Sequence, residues 1–135
     1  MHKKTMTYVD YNGVERTEDF YFNFTKAELL EMEMGVSGGY VEMLNRIINA
    51  KDGKMIIDTF KEFVLKAYGE KSPDGRAFMK EDEMGRPLCN KFKQLAAYSD
   101  LYMELALDDV KAAEFVNAVI PADYRQQVEQ KLANR

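Results

Sequence analysis

"MTYVDYNGVERTEDFYFNFTKAE", residues 6–28, contains the point at which the chain turns from strand to helix. Asn12-Gly13 lies between two runs rich in tyrosine, threonine and phenylalanine, the strongest short-range cue for a β-hairpin. A two-residue turn there would set Asp10 against Glu15 and Met6 against Asp19, facing like charges and scattering the aromatics. One further loop residue on the Val14 side sets Asp10 against Arg16 and Met6 against Phe20. Because strand side chains alternate, it also gathers Met6, Tyr8, Phe20, Phe22 and Phe24 on one face. A longer, bulged loop is therefore expected, with Tyr21 more exposed than its phenylalanine neighbours.

Helical signals begin at the end of the same stretch. Thr25 followed by Glu28 is a capping box, with Phe24 placed as a hydrophobic staple. The helix "KAELLEMEM" stops at Gly35, and a second begins near Ser37 with Val41, Leu44, Ile47 and Ile48 at helical spacing. "KDGK" (51–54) breaks it. A third helix carries Ile56, Phe60, Phe63, Val64 and Ala67 on one stripe and ends at Gly69. "EKSPDGR" (70–76) is a turn. In "AFMKEDEMGRPLCNKFKQ" (77–94) Gly85 and Pro87 interrupt any helix, and a short one is expected after the proline. "AAYSDLYMELAL" is helical with Tyr98, Leu101 and Leu105 inward, and the next helix is capped by Asp108 or Asp109. After Pro121, Tyr124, Val128 and Leu132 recur at fourfold spacing, a thin apolar stripe.

The pattern predicts one mostly α-helical α+β domain over residues 1–135. A β-hairpin at 1–24 precedes a bundle of about five or six helices at 25–120, with a C-terminal helix or extension at 121–135. Apolar residues make up 46% and charged residues 31%, a globular balance that argues against disorder. The net charge of −4, with both signs interspersed, disfavours nucleic acid as a partner. No apolar run approaches the roughly 20 residues of a membrane span, and "MHKKTMTYVD" lacks a signal peptide's apolar core. With Cys89 as its single cysteine, the chain has no internal disulfide to form. It reads as soluble and cytosolic.

Reaction chemistry is hard to assemble from these residues. His2 lies at the terminus and is expected to be solvated, whereas acid–base work needs a positioned ring. Cys89 has no histidine to activate it and is expected to be a half-buried thiol in a helix. One Cys and one His do not make a zinc site. "KEDE" (80–83) reads as a solvated face, and "DGK" and "PDGR" lack the acids of a calcium loop. Gly38-Gly39 opens a helix without a phosphate-binding fingerprint. The expectation is a protein that is not an enzyme, with no cofactor and no metal.

Binding is better served. Nine methionines, most on helices, are flexible, polarizable side chains of the kind that accept varied apolar partners. Met32, Met34 and Met43 are candidate contacts. An outer hairpin strand can recruit a neighbour by edge pairing, and Tyr8, Tyr11 and Tyr21 would enrich such an interface.

The words "FYFNFTKAEL" (20–29), "LKAYGEKSPDGR" (65–76) and "AYSDLYMEL" (97–105) carry a resemblance. Over residues 5 to 121, the chain resembles the tail assembly chaperones of long-tailed phages and prophages of Gram-positive bacteria. It departs from their pattern around "MGRPLCNKF", and the stretch after Pro121 reads as an extension. The resemblance implies a non-enzymatic protein of the host cell cytoplasm. Such a protein coats the apolar, helical tape measure protein before the tail tube forms, associating with itself and contacting the tail tube protein. The alternative reading is a tail-completion or head–tail connector protein of the virion.

Overall fold

The computed structural model describes residues 1–50 and 53–120, the side chains of Val41 and Ile48 excepted. The expected stripe of Tyr124, Val128 and Leu132 lies outside the described residues, as do Lys51 and Asp52 of the expected break. The chain opens with strands β1 (His2–Val9) and β2 (Glu15–Phe22), followed by helices α1 (Lys26–Met34), α2 (Tyr40–Ala50) and α3 (Gly53–Ala67). Two short strands follow, β3 (Tyr68–Lys71) and β4 (Phe78–Met79), then α4 (Cys89–Phe92), α5 (Ala96–Leu107) and α6 (Asp109–Val119). The strands form one antiparallel sheet in the order β1-β2-β3-β4.

The hairpin has the expected facing but a different register. Met6 lies opposite Glu18 and Tyr8 opposite Arg16, so the extra loop residue is Tyr11 rather than a residue on the Val14 side. Asp10 sets this loop. Its carboxylate accepts the N–H groups of Asn12 and Val14, both at 2.9 Å, and its second oxygen meets Arg16 Nε at 2.6 Å. Gly13 takes φ +78, the left-handed position that ends a three-residue hairpin loop. Because the register differs by an even number of residues, the faces are conserved. Met6, Tyr8, Phe20, Phe22 and Phe24 are all buried and Tyr21 is half-buried.

The sheet extends beyond the hairpin, which the sequence pattern does not indicate. α3 ends at Ala67, and the next four residues leave the helix to pair with β2, Tyr21 opposite Gly69 and Phe22 opposite Tyr68. The turn at 72–77 then returns the chain to β4. Asp82 repeats the device of Asp10. It accepts the Met84 and Arg86 N–H groups at 2.9 Å and meets Arg86 Nε at 2.8 Å, with Gly85 at φ +78. The short helix expected after Pro87 is α4.

Helices cover the inner face of the sheet. Phe92 of α4 packs on Phe20 and Phe22, Phe115 of α6 on Phe22, and Lys4 of β1 reaches Glu104 of α5 at 3.2 Å. All five α3 stripe residues are buried, as are Leu44, Ile47, Leu101 and Leu105, and the hairpin and helices share one cluster of buried side chains. α2 starts at Tyr40 rather than Ser37, because Gly38 and Gly39 hold positive φ ahead of it. Asp108 caps α6 by accepting from the Val110 and Lys111 N–H groups at 3.0 and 3.2 Å.

Tyr40 is buried with a hydroxyl that has no hydrogen-bond partner among the described residues, and burial, with a smaller push from Glu62, raises its pKa to about 12. Tyr40→Phe removes an unpaired polar atom while keeping the ring on Phe63. It is expected to leave stability unchanged or raise it by up to about 1 kcal/mol, measured by urea unfolding.

The capping box at Thr25 is complete. Glu28 N–H donates to Thr25 Oγ1 at 3.1 Å, and Thr25 N–H donates to Glu28 Oε1 at 2.9 Å. The other Glu28 oxygen accepts from Lys80 Nζ at 2.7 Å, and that ammonium lies 4.6 Å from the centre of the Phe24 ring. Burial alone would raise the Glu28 pKa, but the bonds from Lys80 and Thr25 outweigh it and hold the carboxyl below its ordinary range. The same contact pulls Lys80 upward, and burial of its ammonium wins there, leaving it lowered. A depressed carboxyl contributes stability above its unfolded value of 4.5 and loses it as pH falls through the folded value. The stability difference between wild type and Glu28→Gln should therefore shrink as unfolding is measured from pH 7 down to pH 3. A constant difference would contradict this linkage.

Candidate protein-binding surface

Alternation along the hairpin decides which side chains face outward. Lys3, Thr5, Thr7 and Val9 of β1 and Glu15, Thr17 and Asp19 of β2 are exposed and form cross-strand pairs. Thr5 donates to Asp19 at 2.6 Å, and the Thr7 and Thr17 hydroxyls meet at 2.9 Å. This outer face is polar.

The three candidate tyrosines separate. Tyr8 points inward, buried against Phe20 with its hydroxyl donating to Glu18. The hydrogen bond to Glu18, then burial, raises its pKa. It is a core residue, not an exposed contact. Tyr11 stands at the loop, 85% exposed, beside exposed Val9 and Val14. Tyr21 is half-buried on the outer face opposite Lys3. Two shallow depressions run beside the β2 edge, one bordered by Tyr8 and Tyr11 and the other by Tyr21, and they share Glu18 and Leu95.

The methionines separate as well. Met32 and Met43 are half-buried against the core, whereas Met34 is 54% exposed. Leu30 stands one turn before Met34 and is also exposed, so α1 presents an apolar pair to solvent. A second pair, Met103 and Leu107 on α5, continues to exposed Val110 at the start of α6. Leu30, Leu107 and Val110 are not among the contacts expected from sequence, although two apolar residues four apart outside the buried stripe are a readable signal. Between α3 and α5 a narrow apolar groove is lined by Ile57, Phe60, Val64, Tyr98, Tyr102 and Leu105.

His2 is not a solvated bystander. Its ring packs edge-on against Phe115 at 5.7 Å, and burial, followed by the charges of Lys4 and the amino terminus, lowers its pKa. Cys89 is half-buried at the start of α4, as expected. Among the described residues, no three His, Cys, Asp or Glu side chains are grouped to hold a metal ion. No helix among them is long and apolar enough to cross a membrane. Exposed apolar residues thus stand as helix pairs at two separate places.

A protein-family model described as phage tail assembly chaperone matches residues 1–135. The match covers the whole chain, "MGRPLCNKF" and the stretch after Pro121 included. No curated protein and no solved structure matches the chain.

Proposed function

The chain belongs to the phage tail assembly chaperone family, and from that we propose that it binds the tape measure protein and keeps it soluble while the tail tube assembles. Its match to the family along the entire chain is the observation that carries this reading. A long apolar helical client needs contact surfaces that water tolerates, and short apolar pairs set among charges supply them. Leu30 with Met34 and Met103 with Leu107 are the contacts assigned to the client. In this proposal the protein works without catalysis in the host cell cytoplasm, several copies line one client, and tail tube protein displaces them.

Co-expression of the neighbouring tape measure gene with and without this protein tests the proposal. The client is expected to be soluble and to co-purify when the protein is present. Binding driven by apolar burial should persist at a few hundred millimolar salt and show a negative heat-capacity change. Leu30→Ser with Met34→Ser should weaken co-purification while leaving the melting temperature nearly unchanged, because both side chains are already exposed. A client equally soluble alone would overturn the reading. Finding the protein at fixed copy number in purified virions would favour the connector alternative.

A further inference from the structure

We propose that β1 pairs along its open edge with β1 of a second copy, antiparallel and centred on Met6, so that two hairpins form one continuous sheet. The hydrogen-bond pattern of the hairpin identifies which backbone groups are available. Asp10 N–H donates to the Val14 carbonyl at 2.9 Å, which makes these two a hydrogen-bonded pair. Antiparallel ladders alternate bonded and non-bonded pairs. The bonded β1 residues are therefore the even-numbered ones, and Lys3, Thr5, Thr7 and Val9 turn their N–H and C=O groups to the other edge. Among the described residues, β2 is the only strand neighbour of β1.

Strand edges of this length are usually blunted by proline, bulges or charges. β1 spans His2–Val9 without proline, and its ladder with β2 runs unbroken. Lys4 is turned inward to Glu104, which leaves Lys3 as the charged side chain on the exposed face of the strand.

Charge and register favour a second copy as the occupant. A parallel, in-register pairing would oppose Lys3 to Lys3, which is unfavourable. The antiparallel pairing sets Lys3 opposite Val9 and Thr5 opposite Thr7. Across the joined sheet, Glu15 and Val9 of one copy then share a row with Lys3 and Tyr21 of the other, bringing acid and base together over a single valine. The adjacent row runs Thr17, Thr7, then Thr5 and Asp19 of the second copy, which lengthens the hydroxyl ladder that each hairpin already contains. A shift by two residues in either direction would leave Val9 or Lys3 facing a residue outside β1.

This inference gives a surface to the self-association within the proposed function, but it is tested on the isolated protein and stands or falls apart from client binding. Sedimentation equilibrium of the wild type should show a concentration-dependent rise from 15.6 kDa toward twice that mass. Thr7→Pro removes an outward N–H that β2 does not use, and it should hold the protein at the monomer mass with an unchanged far-UV spectrum. A second measurement reads the register without proline. In a Cys89→Ala background, Thr5→Cys and Thr7→Cys proteins are mixed in equal amounts and oxidised, and the disulfide joining one of each should far exceed the roughly twofold excess over either homodisulfide that random pairing gives. A wild type that stays monomeric at millimolar concentration would overturn the inference. So would a folded Thr7→Pro protein that still dimerises, or a mixed disulfide at or below the random proportion.

Discussion

Phe92→Ala is expected to lower the unfolding free energy by about 3–5 kcal/mol, the range for losing a phenylalanine from a packed core. Phe92 is fully buried on the four-residue helix α4, which has little stability of its own. Its ring stacks on Tyr68 with centroids 4.1 Å apart and planes within 4° of parallel. It also meets Phe20 at 5.4 Å, Phe22 at 5.8 Å and Tyr98 at 5.5 Å. One side chain therefore ties both hairpin phenylalanines, β3 and α5 to the same point. Each aromatic contact adds about 0.5–1.5 kcal/mol beyond burial, so a truncation forfeits several of them at once and leaves a cavity that rigid neighbours cannot fill. Urea unfolding should show a lower midpoint with an unchanged slope. Phe92→Leu, which keeps most of the volume but not the stacking, should fall between the two. A loss below about 1 kcal/mol for Phe92→Ala would mean that the surrounding rings close over the gap, contrary to the usual cost of a cavity in a packed core.

Phe92 lies in the stretch whose structure is hardest to read from sequence, and the reason is physical. The hairpin facing, the capping box at Thr25, the buried stripe of α3 and the cap at Asp108 are local. Each depends on residues within a turn or two of one another. The hairpin register is also local, but it is decided by the Asp10 carboxylate rather than by the alternation of aromatics. Asp10 and Asp82 each stand three residues before a left-handed glycine and bind the same two N–H groups of their loops. That repeated Asp-x-x-Gly spacing is a sequence signal for both loops, and alternation alone does not use it. The strand at 68–71 is different. It follows a strong helix without a break, and it is a strand because it pairs with β2, far away in sequence, as well as with β4. On the candidate surface, exposed Met34 and Tyr11 are legible as unburied apolar residues. Tyr8 suits an interface by residue type, but the alternation that gathers it with Phe20 and Phe22 sends it to the core, and alternation decides.

Gly69→Ala is expected to destabilise the protein by about 1–3 kcal/mol, although it adds a single methyl group. Helix propensity would predict the opposite sign if Gly69 lay inside α3, since alanine is the better helix former there. The structure places Gly69 in β3, opposite Tyr21. A Cβ there would run into the Phe78 ring and come within 2.6 Å of the Met79 carbonyl oxygen. The ring can swing aside, but the carbonyl belongs to the β4 backbone and moves only if the strand moves. That strain would reach α3, because Asn23 N–H donates to the Ala67 carbonyl at 2.8 Å just before β3 begins. Adding Phe78→Ala to Gly69→Ala removes one of the two obstacles. Relative to Phe78→Ala alone, the cost of Gly69→Ala should therefore become smaller but not vanish, a coupling that a double-mutant cycle measures directly. Hydrogen exchange should speed up at Tyr21 and at residues 68–71 before it changes in α5 or α6. An unchanged or raised stability in Gly69→Ala would show that no fixed backbone crowds this position, and the packing of β4 against β3 would have to be abandoned.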